Sequence, residues 1–159
     1  MPKGDFRFHC TVRVRWSEGD AQGIVYNARY FDYIEVAQAE YFRNLGIRLY
    51  DEESRKRFDT ATVRATLEFK SPARVDDVLE VHTRVSGIGS SSLTMVSELY
   101  RQCSDELLMR AEMVYVNYDS DARVSRAVPD DLRELIEGFE RTGPGTSSGG
   151  PEGPSKQRA

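Results

Sequence analysis

One helical stripe set among alternating strands constrains this chain more than any other feature. From Tyr30 the apolar residues fall at Tyr30, Ile34, Ala37, Tyr41 and Leu45, with Phe31 and Phe42 widening the stripe. Steps of i, i+4, i+7 and i+11 belong to a helix with one buried face. Asn27 is placed to cap its start, and Gly46 to take the left-handed position past its end. Around this helix the pattern has period two. Residues 6–16 set Phe6, Phe8, Cys10, Val12, Val14 and Trp16 against Arg7, His9, Thr11, Arg13 and Arg15, which predicts a half-buried strand. Four more strands are predicted further on. Val63, Ala65, Leu67 and Phe69 share one face of the second; Leu79, Val81, Thr83 and Val85 share one face of the third, which ends in a turn at Gly87-Ile88-Gly89. Residues 93–100 and 107–118 complete the set. Short turns between consecutive strands predict antiparallel pairing. The helix has only a sheet face to bury its stripe against, so the fold class is α+β: an antiparallel five-stranded sheet wrapped around one long central helix.

Residues 47–59 read as a short helical turn and connection, and residues 129–141 as a second short helix with Leu132, Leu135, Ile136 and Phe139 on one side. A chain of 159 residues suits one domain, placed at 1–141. Residues 142–159, rich in Gly, Pro and Ser, lack the apolar surface to offset the entropy of ordering and are predicted to be a disordered tail. A net charge of −4 argues against nucleic acid as the main partner. The chain starts without an apolar signal region and has no run of membrane-spanning length, so no membrane span and a cytoplasmic setting are expected. Cys10 and Cys103 lie far apart without metal-like spacing; Cys10 is expected to be a buried reduced thiol. His9 and His82 fall on polar strand faces and read as surface histidines, so no metal site is expected.

The chemistry concentrates in the loop ahead of the helix. Orphan N–H groups at a helix start favour negative charge, and Glu18 and Asp20 directly precede this one. On spacing alone Asp20 reads as a loop aspartate that binds neighbouring backbone N–H groups. Glu18 reads as solvated, and Trp16 as a core aromatic at a strand end. The run V-R-W-x-x-x-D-x-x-G-I-V-Y-N-A-R-Y-x-x-Y-x-E-x-A, from Val14 to Ala37, resembles the signature of the 4-hydroxybenzoyl-CoA thioesterase-like acyl-CoA thioesterases, which have the hotdog fold. The resemblance continues through Tyr118.

This resemblance implies hydrolysis of an acyl- or aroyl-CoA thioester to the free acid and CoA. It makes Asp20 the catalytic carboxylate, as nucleophile or as general base on water. Asn27 stands where some branches carry histidine, tyrosine or asparagine; its backbone N–H, with that of Ala28, is the implied oxyanion donor. Gly23 lets the backbone approach the acyl group. Trp16 and Tyr26 would wall the substrate, and Thr62 matches a position that relatives contribute from a partner subunit. Lys70, Arg74 and Ser91 would meet the phosphates of CoA, although serines stand here where aromatic-degrading relatives carry basic residues. The family implies a homodimer or homotetramer and no cofactor beyond CoA as part of the substrate. Two rivals remain open at this point: an acyl-ACP thioesterase using the same site, and a non-catalytic acyl-CoA-binding module.

Overall fold

A computed structural model describes residues 3–142. In chain order the elements are β1 (His9–Arg13), α1 (Tyr30–Asn44), α2 (Glu52–Arg55), β2 (Thr60–Phe69), β3 (Val78–Ile88), β4 (Ser92–Arg101), β5 (Leu107–Asp119), β6 (Val124–Ser125) and α3 (Asp130–Thr142). The main sheet has the order β1-β3-β4-β5-β2, every pairing antiparallel, and the two-residue β6 pairs with β5.

Register explains the core. Cys10, Val81, Leu99, Met109 and Phe69 lie in one row across all five strands, and Val85, Met95, Met113 and Ala65 in another. Period two puts these rows on one face, where the stripe of α1 meets them: Tyr30, Tyr33, Ile34, Ala37, Tyr41 and Phe42 are all buried. Between them runs a row of small side chains, Thr83, Ser97 and Ala111, in which the Thr83 and Ser97 hydroxyls satisfy each other at 2.9 Å. Leu79, Leu99 and Met109 lose all contact with water, each contributing about 2–3 kcal/mol of apolar burial.

The two sides of the sheet end differently. On the β1 side, β1 covers only Val78–His82 of β3. Above that point Thr83 N–H donates to the Phe8 carbonyl at 3.1 Å, Val85 N–H to the Glu140 carboxylate at 3.0 Å, and Arg133 to the carbonyl of Gly89 at 2.8 Å. Helix α3, seated through Leu132, Ile136 and Phe139, thus finishes this edge with side chains. On the other side β2 stands open, with Val63 58% and Phe69 48% exposed.

Several expectations change. The first strand spans His9–Arg13 rather than 6–16, because the Glu18 carboxylate turns back to accept the Arg15 N–H at 2.7 Å and draws Trp16–Glu18 into a 3-10 turn. Trp16 therefore leaves the sheet and is 87% exposed, not a core residue. Strand β3 runs on through Ile88 with a register shift after Val85, and the turn falls at residues 89–91. The inward side chains of β2 are only partly covered: Leu67 packs against the core and Phe69 meets Tyr30 edge-on at 5.2 Å, yet Val63 and Phe69 remain about half exposed. His82 is buried, not superficial: it stacks on His9 at 4.9 Å beneath Phe6 and beside Tyr100. Cys10 is half-buried with its pKa pushed up to about 11, chiefly by burial, and Cys103 is exposed; both are free thiols. Thr142 belongs to α3, and the remainder of the proposed tail lies outside the described residues.

Candidate functional site

The loop from Arg15 to Tyr26 is a small hairpin locked at each rung. Tyr26 N–H donates to the Glu18 carbonyl at 3.0 Å, Asp20 N–H to the Ile24 carbonyl at 2.8 Å, and Gly23 N–H to the Asp20 carbonyl at 3.0 Å. Gly23 has φ +76°, a conformation that glycine adopts without the usual penalty, and so turns the hairpin. Gly19 is needed for space: a Cβ there would lie 2.5 Å from Val75 Cγ2. No sequence signal marked it, because Val75 comes from the β2–β3 connection. That connection also pairs with the loop, through Val25 N–H to the Ala73 carbonyl at 2.9 Å and a bridge between Ile24 and Arg74.

This architecture sets Asp20 at the surface on a hairpin whose last rung, Tyr26, leads directly into the helix. The Asp20 carboxylate is exposed, and its Oδ1 accepts the Gln22 N–H at 2.8 Å. Asn27 does not cap the helix as expected. Tyr26 is the cap residue of a 3-10 turn over Asn27–Arg29 that continues into α1, and no side chain caps it. The opening N–H groups of that turn, at Asn27 and Ala28, have no acceptor within their own turn and form the positive end of the helical run. Both residues are exposed, as is Tyr26.

The remaining candidates divide between the two ends of the sheet. Arg74 is brought beside Gly23 and Ile24, with its guanidinium at the surface. Lys70 ends β2 at the same end and pairs with Glu68 at 3.1 Å. Ser91 and Thr62 sit at the far end. Ser91 accepts the Asn117 N–H at 2.8 Å, and Asn117 pairs with Thr60. Trp16 is on the Asp20 side. Within one chain, then, Asp20, Asn27, Ala28, Gly23, Tyr26, Trp16 and Arg74 gather, and Thr62 and Ser91 do not join them.

A cavity of about 410 Å³ opens between α1 and the start of β2. Phe31, Ile34, Met113 and Tyr115 give it an apolar wall, and Thr62 with Gln38 and Thr60, the last two joined at 3.3 Å, a polar one, so Thr62 lies in this cavity rather than beside Asp20. Tyr50 closes its outer side by donating to Glu35 at 3.0 Å. Glu18 overturns its expectation most clearly: it is 2% exposed and beneath the loop rather than solvated.

Comparison with known proteins places this geometry. Residues 14–136 match the family model described as the thioesterase-like superfamily. The chain is 30% identical over 127 residues to the acyl-CoA thioester hydrolase YbgC of Escherichia coli, covering 79% of this chain and 92% of that protein. It is 29% identical over 140 residues to a chloroplastic acyl-acyl carrier protein thioesterase of Arabidopsis thaliana, covering 87% of this chain and 73% of that one. Among solved structures, a thioesterase of Thermus thermophilus complexed with coenzyme A and Zn superposes with a TM-score of 0.73 at 25% identity, covering 86% of this chain and 96% of that one.

Proposed function

The chain belongs to the thioesterase-like superfamily and has its hotdog fold, and we propose that it is an acyl-CoA thioester hydrolase with Asp20 as its catalytic carboxylate. The observation that supports the reading is the locked hairpin, which displays Asp20 at the surface one rung beyond the Glu18–Tyr26 pair and ends one residue before the helical N–H groups. A thioester carbonyl held at Asn27 and Ala28 would gather negative charge where the N–H groups and the helix dipole stabilise it. In one course the Asp20 carboxylate takes the proton of a water that adds to that carbonyl, the acyl–sulfur bond breaks and the proton passes to the departing CoA thiolate. In the other Asp20 itself adds, CoA thiolate leaves and takes a proton from water, and a second water hydrolyses the resulting mixed anhydride to free the acid and restore Asp20. An acyl group lying along α1 from Asn27 passes Phe31 and Ile34 into the 410 Å³ cavity. Arg74, bridged to the loop at Ile24 with its side chain at the surface, would hold a CoA phosphate.

The working unit in this reading is at least a homodimer. Pairing the open β2 edges antiparallel about a two-fold axis would set the Thr62 and Ser91 end of one copy against the Asp20 end of the other. The substrate would then lie between copies, which fits the exposure of Asp20, Tyr26 and Trp16 in a single chain.

The test is thiol release from a panel of short, long and aromatic acyl-CoAs, comparing wild type with Asp20→Asn. Hydrolysis of at least one class is expected, with kcat falling about 10²–10⁴-fold in the variant. Turnover that survives Asp20→Asn would overturn the assignment of Asp20. Similarity to the plant acyl carrier protein thioesterase, together with serines at the β3–β4 turn, favours one second reading, an acyl-ACP substrate at the same site. Turnover of acyl-ACP with none of any acyl-CoA would select it.

A further inference from the structure

Glu18 takes no part in the chemistry above, yet its bonds run to three segments of the site. Its N–H donates to the Arg15 carbonyl at 3.0 Å, and its carbonyl accepts the Tyr26 N–H at 3.0 Å. Its Oε1 accepts the Arg15 N–H at 2.7 Å and the Tyr33 hydroxyl at 3.0 Å, while Oε2 accepts Arg15 Nε at 2.9 Å. One residue therefore joins the entry of the hairpin, its exit and the first turn of α1. Burial pushes the Glu18 pKa up, and the hydrogen bonds from Arg15 and Tyr33 outweigh it, holding the carboxyl below its ordinary value. The Arg15 guanidinium stands mostly in water, and an ion pair with one partner exposed contributes little to stability. What this one supplies is direction.

The other end of each bond is itself fixed. Tyr33 is fully buried and meets Tyr30 edge-on at 5.9 Å, and the Tyr30 hydroxyl accepts the Ala73 N–H at 3.2 Å. On the opposite side of the loop, Val75 presses on Gly19. Asp20 thus stands on a segment clamped by Glu18 on one side and by the β2–β3 connection on the other. Catalysis by a positioned carboxylate needs this restraint, since a displacement of about 1 Å can cost about 10²-fold in rate.

We infer that Glu18 is a positioning residue, which through Tyr33 and Arg15 sets the distance between the Asp20 carboxylate and the N–H groups at the start of the helix. The inference rests on the reading of Asp20 as the catalytic carboxylate. Glu18→Gln keeps the shape and one acceptor oxygen but loses the charge and the second acceptor. It is expected to lower kcat about 10- to 100-fold with KM within about threefold, at a temperature where the variant is fully folded. Tyr33→Phe is expected to lower kcat less, about three- to tenfold, and the double variant to be no slower than Glu18→Gln alone, because both act through one link. Amide exchange reads the restraint without substrate: in Glu18→Gln the Asp20 and Tyr26 N–H groups should exchange about tenfold faster or more while those of β4 stay unchanged. A kcat within twofold of wild type, or unchanged exchange at Asp20 and Tyr26, overturns the inference. If wild type hydrolyses no thioester, the reading of Asp20 falls separately, and the exchange result alone upholds or overturns Glu18 as the residue that holds the loop.

Discussion

The β1 side of the sheet and the β2 side face the same problem, a row of backbone groups with no further strand. On the β1 side, β1 is short and ends in Arg13, and β3 beyond it is closed by Glu140 and Arg133 from α3. On the β2 side, ten residues run with no helix across their edge among the described residues, and with Val63 and Phe69 half in water. Short, charged or covered edges resist pairing with other chains; a long apolar one invites it. The contrast teaches that one edge is finished within the chain, while the other stands open for the second copy proposed above. It also explains why such an assembly would close: with one open edge per chain, a two-fold pair uses both and leaves none.

The sharpest way to break the contrast is to charge the open edge. Val63→Asp combined with Phe69→Asp would put four carboxylates into the proposed interface. Sedimentation velocity should show monomers where wild type is dimeric, and thioester hydrolysis should fall by about 10²-fold or more, since the site would lose its second half. The chain itself should lose about 1–3 kcal/mol, because both side chains are about half exposed while Phe69 still packs edge-on against Tyr30. A wild type that sediments as a monomer, or a charged variant that stays dimeric and active, would remove β2 as the interface.

The closed edge should answer in stability rather than assembly. Glu140 accepts from the Val85 N–H and from the fully buried Tyr41 hydroxyl, whose pKa is pushed up by burial first and then by that bond. Glu140→Ala leaves both donors without their acceptor, a loss of about 2–4 kcal/mol, and Glu140→Gln should cost about half as much. Urea denaturation measures both. Equal loss in the two variants would mean that the charge, not the acceptor, closes this edge.

Period two and period 3.6 made most of the architecture legible, because they report which face each side chain takes. The rows through Val81 and Leu99 and the stripe from Tyr30 to Phe42 follow directly. What escaped depends on partners distant in sequence. The alternation places His82 on the correct face, but the cover supplied by Phe6 is invisible to a local pattern. Glu18 and Trp16 were exchanged between core and solvent because a carboxylate folding back on Arg15 N–H looks, in sequence, like any polar loop residue. In the candidate site the resemblance marked Asp20 and Arg74 separately; their neighbourhood depends on the bridge between Ile24 and Arg74.

The smallest expected effect also tests the closed side, through pH. His82 faces Glu80 at 3.1 Å, the ring of His9, Lys3 through Glu80, the ring of Tyr100, and Glu98 as its register partner on β4. Burial is the largest influence and lowers its pKa; Glu80 pulls the other way, and His9 and Lys3 add to the lowering. The unfolded chain therefore takes up a proton at His82 at a higher pH than the folded chain does. Its contribution is complete above the ordinary histidine value of 6.5 and is lost as pH falls through it towards the lower folded value. One proton limits the slope to about 1.4 kcal/mol per pH unit. Glu80, held below its ordinary value chiefly by the bond from His82, adds its own loss only at more acid pH. Urea midpoints from pH 8 to 5 for wild type and His82→Gln should therefore differ by a constant above pH 7, with wild type falling faster below. Parallel curves across that range would mean that His82 binds its proton equally in both states, and that the segment from Lys3 to Phe6 covers it without excluding the charge.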